Sequence, residues 1–449
     1  MDWDALQWQY EPHRDGFYFC RPKMSQTIDH IALSIDQELA CLPPTPLNPC
    51  IFKVFRELRI ENEKAYEPKI IAIGPFHHGK DNLQEMEEHK MRYLQLLLHR
   101  RNEKSVNKYV MALSDMEERT RTCYAESSGL NKVEFVKMVL LDGIFVIELF
   151  RKWNARSSYT NDPIVQSSRM LGVICGDLLL LENQLPFFIL VHLFNMTRDS
   201  DTQEDISHLA LSLLDNILPG PAVSHVSNIP EDEVKHLLHL IHGSMCYSFA
   251  KKVESCGEVT RFEVDKFELI NTITDLQEAG IAFKVDEGSN NLFDIKFNNG
   301  LMEIPRLLIG DDTESILRNL IAYEQFLPDE THRRYVTDYA LLMDCLVNSP
   351  KDASFLRCCR IITNGLGDGI VVCNTLNKLV NSVTLSTKFS YFQVFNNLNK
   401  HCKSPYNKWM ANLRHNYFNS PWALISFLAA VVLLLLTVAQ TIFSALSYF

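Results

Sequence analysis

Apolar residues recur at helical spacing through most of the chain. Ile28, Ile31, Ile35 and Leu39 lie three or four residues apart and predict a helix over 25–40. Met86, Tyr93, Leu94, Leu97 and Leu98 share one side of a second, over 85–100. Segments 133–150 and 176–193 are apolar on most faces and read as buried helices. Further helices are predicted over 209–218, 231–252, 313–325, 335–346, 355–363, 375–394 and 405–417. Residues 70–73 form a short strand-like run ending at Gly74-Pro75. Segments 281–285, 292–297 and 301–304 alternate, with turns at 287–290 and 298–300, and predict a three-strand antiparallel meander. The expected fold is mainly α with this small β element.

The most apolar stretch, 422–446, contains no charged residue. About 20 apolar residues suffice to cross the hydrocarbon core of a bilayer as a helix. Trp422 marks one interface, and Tyr448 and Phe449 the other. Lys400, Lys403, Lys408 and Arg414 precede the stretch and nothing basic follows it, so the N-terminal part is expected in the cytosol. The acidic start carries no signal-peptide pattern. The expected protein is therefore single-pass and tail-anchored, in the plasma membrane or the endoplasmic reticulum. Its parts are a leader (1–47) ending in a proline-rich linker, a helical cytosolic domain (48–415) with the meander near 281–304, and the transmembrane helix (422–446). Thr437 and Gln440 share a face of that helix and are the candidates for pairing spans in a homo-oligomer.

Charge narrows the partners. The net charge is −11, from 44 basic and 55 acidic residues, which argues against nucleic acid because phosphate binding needs a basic field. The chain has 12 cysteines, no C-x-x-C pair among them, and in the cytosol they are expected to be reduced. The acceptor sequon at Asn195 should stay unmodified there.

Five motifs occur in order: Ile73-Gly74-Pro75-Phe76-His77-His78-Gly79; Met138-Val139-Leu140-Leu141-Asp142-Gly143; Asp177 through Leu181-Glu182-Asn183-Gln184-Leu185-Pro186 to Phe188; Asn319-Leu320-Ile321-Ala322-Tyr323-Glu324-Gln325; and Tyr417-Phe418-Asn419-Ser420-Pro421-Trp422 running into the apolar stretch. Together they resemble the plant domain of unknown function 247 family, from about residue 48 onward. The chain departs from the family pattern at Phe55, where proline is usual, and at Asp368-Gly369, where an acidic pair is usual. The resemblance implies a land-plant membrane protein. Some members of that family are implicated in grass self-incompatibility and others in defence or development. It supplies no catalytic residues to carry over.

The candidate chemistry lies in acids embedded in apolar helices. These are Asp142, Glu148, Asp177, Glu182 and Glu324. A buried carboxylate needs a cation or hydrogen-bond donors. Arg318, Arg169, His77 and His78 are the partners expected from sequence, in a polar network that fixes helix packing. His77 and His78 diverge on a turn, which disfavours a shared ion; one of them is expected as a structural donor. His236, His239 and His242 recur at i, i+3 and i+6 with Cys246 one turn on, and read as a solvated polar face, with chelation of a soft divalent ion as the alternative. Gly365-Leu366-Gly367-Asp368-Gly369 lacks the Lys-Ser/Thr of a phosphate loop and reads as an irregular helix junction. No cofactor motif is present. The reading is a non-enzymatic, membrane-anchored recognition or signalling module. The rival is a membrane-tethered enzyme with an acidic pocket of Asp142, Asp177, Glu182 and Glu324.

Overall fold

The computed structural model describes residues 8–9, 21–22, 24–41, 49–155, 162–198, 205–223, 230–255, 268–329, 332–405 and 421–446. The chain divides into two compact units, Met1–Asn48 and Pro49–Phe449. In the first, strands β1 (Trp8–Gln9) and β2 (Arg21–Pro22) pair antiparallel, and helix α1 spans Met24–Cys41, where the spacing predicts one.

The second unit is mainly helical, as the periodicity predicts. It opens with α2 (Arg56–Glu61), α3 (Glu85–Arg100), α4 (Asn107–Asp115) and α5 (Glu117–Arg121). The central element is α6 (Lys132–Asn154), buried from Met138 through Lys152. Asn131 starts it with a capping box: its side chain accepts from the Glu134 N–H, and the Glu134 carboxylate accepts from the Asn131 N–H. Then follow α7 (Pro163–Gln166), α8 (Ser168–Leu178), α9 (Phe187–Thr197) and α10 (Ile206–Leu214). Helices α3, α4, α9 and α10 all pack on α6. The α6–α9 approach is close because Gly143 has no side chain: a Cβ there would lie 2.5 Å from Leu193 Cδ1.

The apolar run over 176–193 is two helices, not the single one expected. Helix α8 stops at Leu178, the side chains of Asn183 and Gln184 take over its last carbonyls, and Pro186 stands immediately before α9. Asn183 Nδ2 donates to the Asp177 oxygen at 2.9 Å, and Gln184 Nε2 to those of Leu178 and Leu180 at 2.7 and 2.8 Å.

Beyond lie α11 (Leu237–Ser255) and α12 (Ile273–Glu278), then strands β3 (Ala282–Val285), β4 (Lys296–Asn298) and β5 (Leu301–Ile304). The strands lie where alternation places them, but the antiparallel meander does not form. The sheet order is β3-β5-β4, with β3 parallel to β5 and only β4 antiparallel to it. The corner at Asn299 (φ 50°) and Gly300 (φ 78°) is a true hairpin turn. The other connection is drawn away from the sheet: Asn291 donates to the Met245 carbonyl and the Ser248 hydroxyl on α11, and Phe293 is fully buried.

Strand β6 (Leu307–Ile309) precedes α13 (Thr313–Gln325) and α14 (Tyr335–Leu346), both where predicted. The helix expected over 355–363 begins earlier. Helix α15 (Pro350–Cys358) has Pro350 in its first turn and a Ser349–Asp352 capping box. It ends before Arg360, at φ 60°, and β7 (Ile362–Asn364) pairs parallel with β6. The expected helix over 375–394 is likewise two, α16 (Gly369–Lys378) and α17 (Phe392–Lys403), separated by a segment with Ser382 at φ 60°. Asp368 caps α16, accepting from the Ile370 N–H at 2.9 Å. The expected helix over 405–417 falls outside the described residues except for Pro405.

A final helix covers Pro421–Leu446. Its segment Ile425–Ser444 is 20 residues, long and apolar enough to cross a membrane, and none of it is buried against the protein. A core helix of that composition would be covered by other elements.

Candidate functional site

The N-terminal stretch of the second unit, 51–80, is poor in regular structure. Residues 70–73, read as a strand, pair with no strand among the described residues. Side chains from α6, from the end of α8 and from the α8–α9 connection satisfy their backbone instead. Asp177 accepts from the N–H groups of Lys69, Ile70 and Ile71 at 2.8, 2.9 and 3.0 Å. Asn183 accepts from Ile73 at 2.6 Å, and Asp142 from Gly74 at 2.8 Å. Glu182 accepts from Val54 at 2.7 Å. Gly74 (φ 75°) suits this path, since a Cβ there would meet the Gln184 carbonyl oxygen at 2.4 Å. Three of the predicted acids thus fasten one segment.

Cations complete the arrangement. Lys90 is fully buried and its Nζ lies 2.6 Å from Asp142 Oδ1. It also donates to the Ala72 carbonyl at 2.6 Å and pairs with Glu87. Burial raises the pKa of Asp142, and the Lys90 ammonium opposes that rise. Glu182 pairs with Arg59 at 2.6 Å. Asp177, with no buried cation beside it, is pushed by burial up to about 6 against its three N–H donors.

His77 is buried between two carboxylates, 3.6 Å from Glu67 and 3.5 Å from Glu182. Both contacts are too long for hydrogen bonds, so the expected structural donor is not found in His77. Burial, followed by nearby Lys80, lowers its pKa to about 4, and the ring is neutral at pH 7. His78 lines a cleft of about 260 Å³ with Gln84, Glu87, Met91, Glu134 and Lys137. None of the four acids of the expected pocket lines that cleft.

The remaining acids take part in other sets of bonds. Glu148 Oε1 accepts from Arg100 and Arg151, both at 2.9 Å. Glu324 is fully buried and caps α14: Oε1 accepts from the Val336 N–H at 2.9 Å, and Oε2 from the N–H and hydroxyl of Thr337 at 2.8 and 2.7 Å. His242 Nε2 lies 2.8 Å from the same Oε1. The expected partners differ: Arg318 pairs with Glu314 at 2.7 Å, and Arg169 is exposed.

The histidine stripe is not a solvated face. His236 and His242 are buried, and His239 is partly covered. All three pack around the ring of Tyr323, at centroid distances of 5.3, 5.7 and 5.3 Å. A phenol ring therefore stands where three converging imidazoles would need an ion. Burial pushes His239 down to about 3 and His236 well below its ordinary value.

Several buried charged groups escaped the sequence reading, Lys90 and Asp338 among the most deeply buried. Lys90 sits on the apolar stripe of α3 with Met86, Tyr93, Leu94 and Leu97, and a lysine on such a stripe is the signal that identifies it. Asp338 lies in the apolar run of α14, accepts from the Ser390 N–H at 2.7 Å, and is held by burial at about 8. Each predicted acid is engaged by two or more donors.

The fold and these contacts define a class: a helical domain stapled by buried carboxylates, followed by an apolar helix of membrane-spanning length. Residues 51–436 match the family described as "plant protein of unknown function", domain of unknown function 247, and the chain belongs to it. A UPF0481 protein of Arabidopsis thaliana is 30% identical, covering 89% of this chain and 87% of its own. A putative UPF0481 protein of the same plant is 23% identical, covering 92% and 93%. No solved structure matches.

Proposed function

We propose that the chain is a membrane-anchored, non-enzymatic module acting through protein–protein contacts in plant self-recognition, reproduction or defence. The observation that carries the reading is the state of the buried acids. Asp142, Glu148, Asp177, Glu182 and Glu324 each face cations or backbone donors that neutralise them, which is the chemistry of a scaffold. The anchor is the helix containing Ile425–Ser444. Lys400, Lys403, Lys408 and Arg414 before it favour a cytosolic domain. Spans pair through Gln440: the hydroxyls of Thr437 and Thr441 are spent on the Leu433 and Thr437 carbonyls of their own helix, and Gln440 is exposed.

The test is a pair of variants, Asp177→Asn and Glu182→Gln, in the full chain in plant cells. Proximity labelling of neighbours should fall only in proportion to the loss of folded protein. Wild-type stability combined with loss of a measurable ligand affinity or activity would instead establish a site and favour the enzyme reading.

A further inference from the structure

We infer that His242, Cys246 and Glu324 form a binding site for one divalent cation of the zinc class. Helix α11 carries His242 and Cys246 at i and i+4, on one face, and α13 brings Glu324 against them. All three are buried, and one ligand atom from each lies within 4.8 Å of the others. The Cys246 Sγ to His242 Nε2 distance is 3.8 Å, and Nε2 to Glu324 Oε1 is 2.8 Å.

The same ring nitrogen faces both the sulfur and the carboxylate. A nucleophile–base–acid relay would use opposite nitrogens of the ring. Convergence on one point is what metal ligation requires. Zn–S of about 2.3 Å and Zn–N of about 2.0–2.1 Å set tetrahedral S···N edges of about 3.6 Å, close to the separation seen here. The N···O edge would open by about 0.5 Å on binding. The ligand carboxylate is already oriented by Val336 and Thr337 from behind, as outer-shell donors orient metal ligands. A dication with thiolate, carboxylate and neutral imidazole sums to zero charge, which suits a buried place. Binding releases the thiol proton and the proton shared between His242 and Glu324. A His–Glu ion pair alone would leave Cys246 as a core residue; its Sγ lies 3.8 Å from the same nitrogen that faces Glu324.

The test uses the full chain in mild detergent, reduced, stripped with a chelator and titrated with cobalt(II). The expected result is about one equivalent bound, with near-ultraviolet thiolate-to-cobalt charge-transfer absorption that zinc abolishes. The chain holds 12 cysteines and 15 histidines, so variants must place the signal. Cys246→Ser should lose the absorption and the zinc-dependent rise in Tm, whereas Cys358→Ser, at an exposed thiol, should keep both. Thr337→Val, which removes an outer-shell donor, should weaken cobalt binding about tenfold. A folded wild-type chain that binds no cobalt, or a band that survives in Cys246→Ser, overturns the inference.

Discussion

Replacing Lys90 with methionine should cost about 3–5 kcal/mol at pH 7. Lys90 and Asp142 are 0% and 1% exposed, and their charges lie 2.6 Å apart. Without the ammonium, the Asp142 carboxylate keeps only the Gly74 N–H. It then either remains an unpaired buried charge or takes up a proton. An aspartate of unfolded pKa about 3.9 must be protonated about three units above that value at pH 7, at about 1.4 kcal/mol per unit, or about 4 kcal/mol. That agrees with the usual cost of breaking a buried pair. The pH dependence follows with a definite sign. In the variant the folded pKa of Asp142, already raised by burial, rises further above its unfolded value. The Asp142 contribution to the variant's stability is then greatest below pH 4 and falls by up to about 1.4 kcal/mol per unit as pH rises through the gap. Asp142→Asn should cost less, because the amide oxygen still accepts from Gly74 while Lys90 keeps Glu87 and the Ala72 carbonyl. Combining the two should cost less than their sum, since neither charge is then left alone. The assay is urea unfolding of the full chain in mild detergent, followed by circular dichroism at pH 5 and pH 7. A Lys90→Met cost below about 1 kcal/mol, or one that does not change with pH, would refute the reasoning.

Three further outcomes are expected. Asp338, at about 8 in the fold, binds a proton that the unfolded chain releases near pH 4; the wild type should lose stability relative to Asp338→Asn between these values, which urea melts at pH 5 and pH 8 will show. Gln440→Leu should weaken self-association in a membrane two-hybrid assay without affecting insertion, and an unchanged signal would move any pairing to another surface. At physiological salt the chain, with its net charge of −11, should show negligible affinity for DNA or RNA in a filter-binding assay, and tight binding would contradict the charge argument.

Long periodic helices were legible from sequence because one periodicity decided them. Helices α3, α13 and α14 begin and end as their apolar spacing predicts, and α6, Lys132–Asn154, extends the predicted core mainly at its C-terminal end. Breaks inside apolar runs were not legible. In 176–193 apolar residues lie on both sides of Glu182-Asn183-Gln184, and the first helix ends at Leu178, where side-chain amides take its carbonyls at targets set by the fold. Strand partners were not legible either, because β3 and β5 are joined by register and not by sequence proximity. The acids were identifiable as odd charges in apolar surroundings. Their partners were not: Lys90 and Arg59 come from segments far away in the chain, and several donors are backbone N–H groups that any residue carries. The histidine stripe was visible, but its burial depends on Tyr323 arriving from α13.

Anchoring by a single C-terminal helix, with the helical domain in the cytosol, is the claim on which the proposed role depends. One measurement tests it most directly. The full chain, with a glycosylation acceptor appended after Phe449, is expressed beside the same chain ended at Asn419, and both are subjected to alkaline carbonate extraction. The full chain should stay with the membranes, glycosylated at the appended site and unmodified at Asn195, while the shortened chain should be soluble. Glycosylation at Asn195, or a shortened chain that resists extraction, would contradict the account.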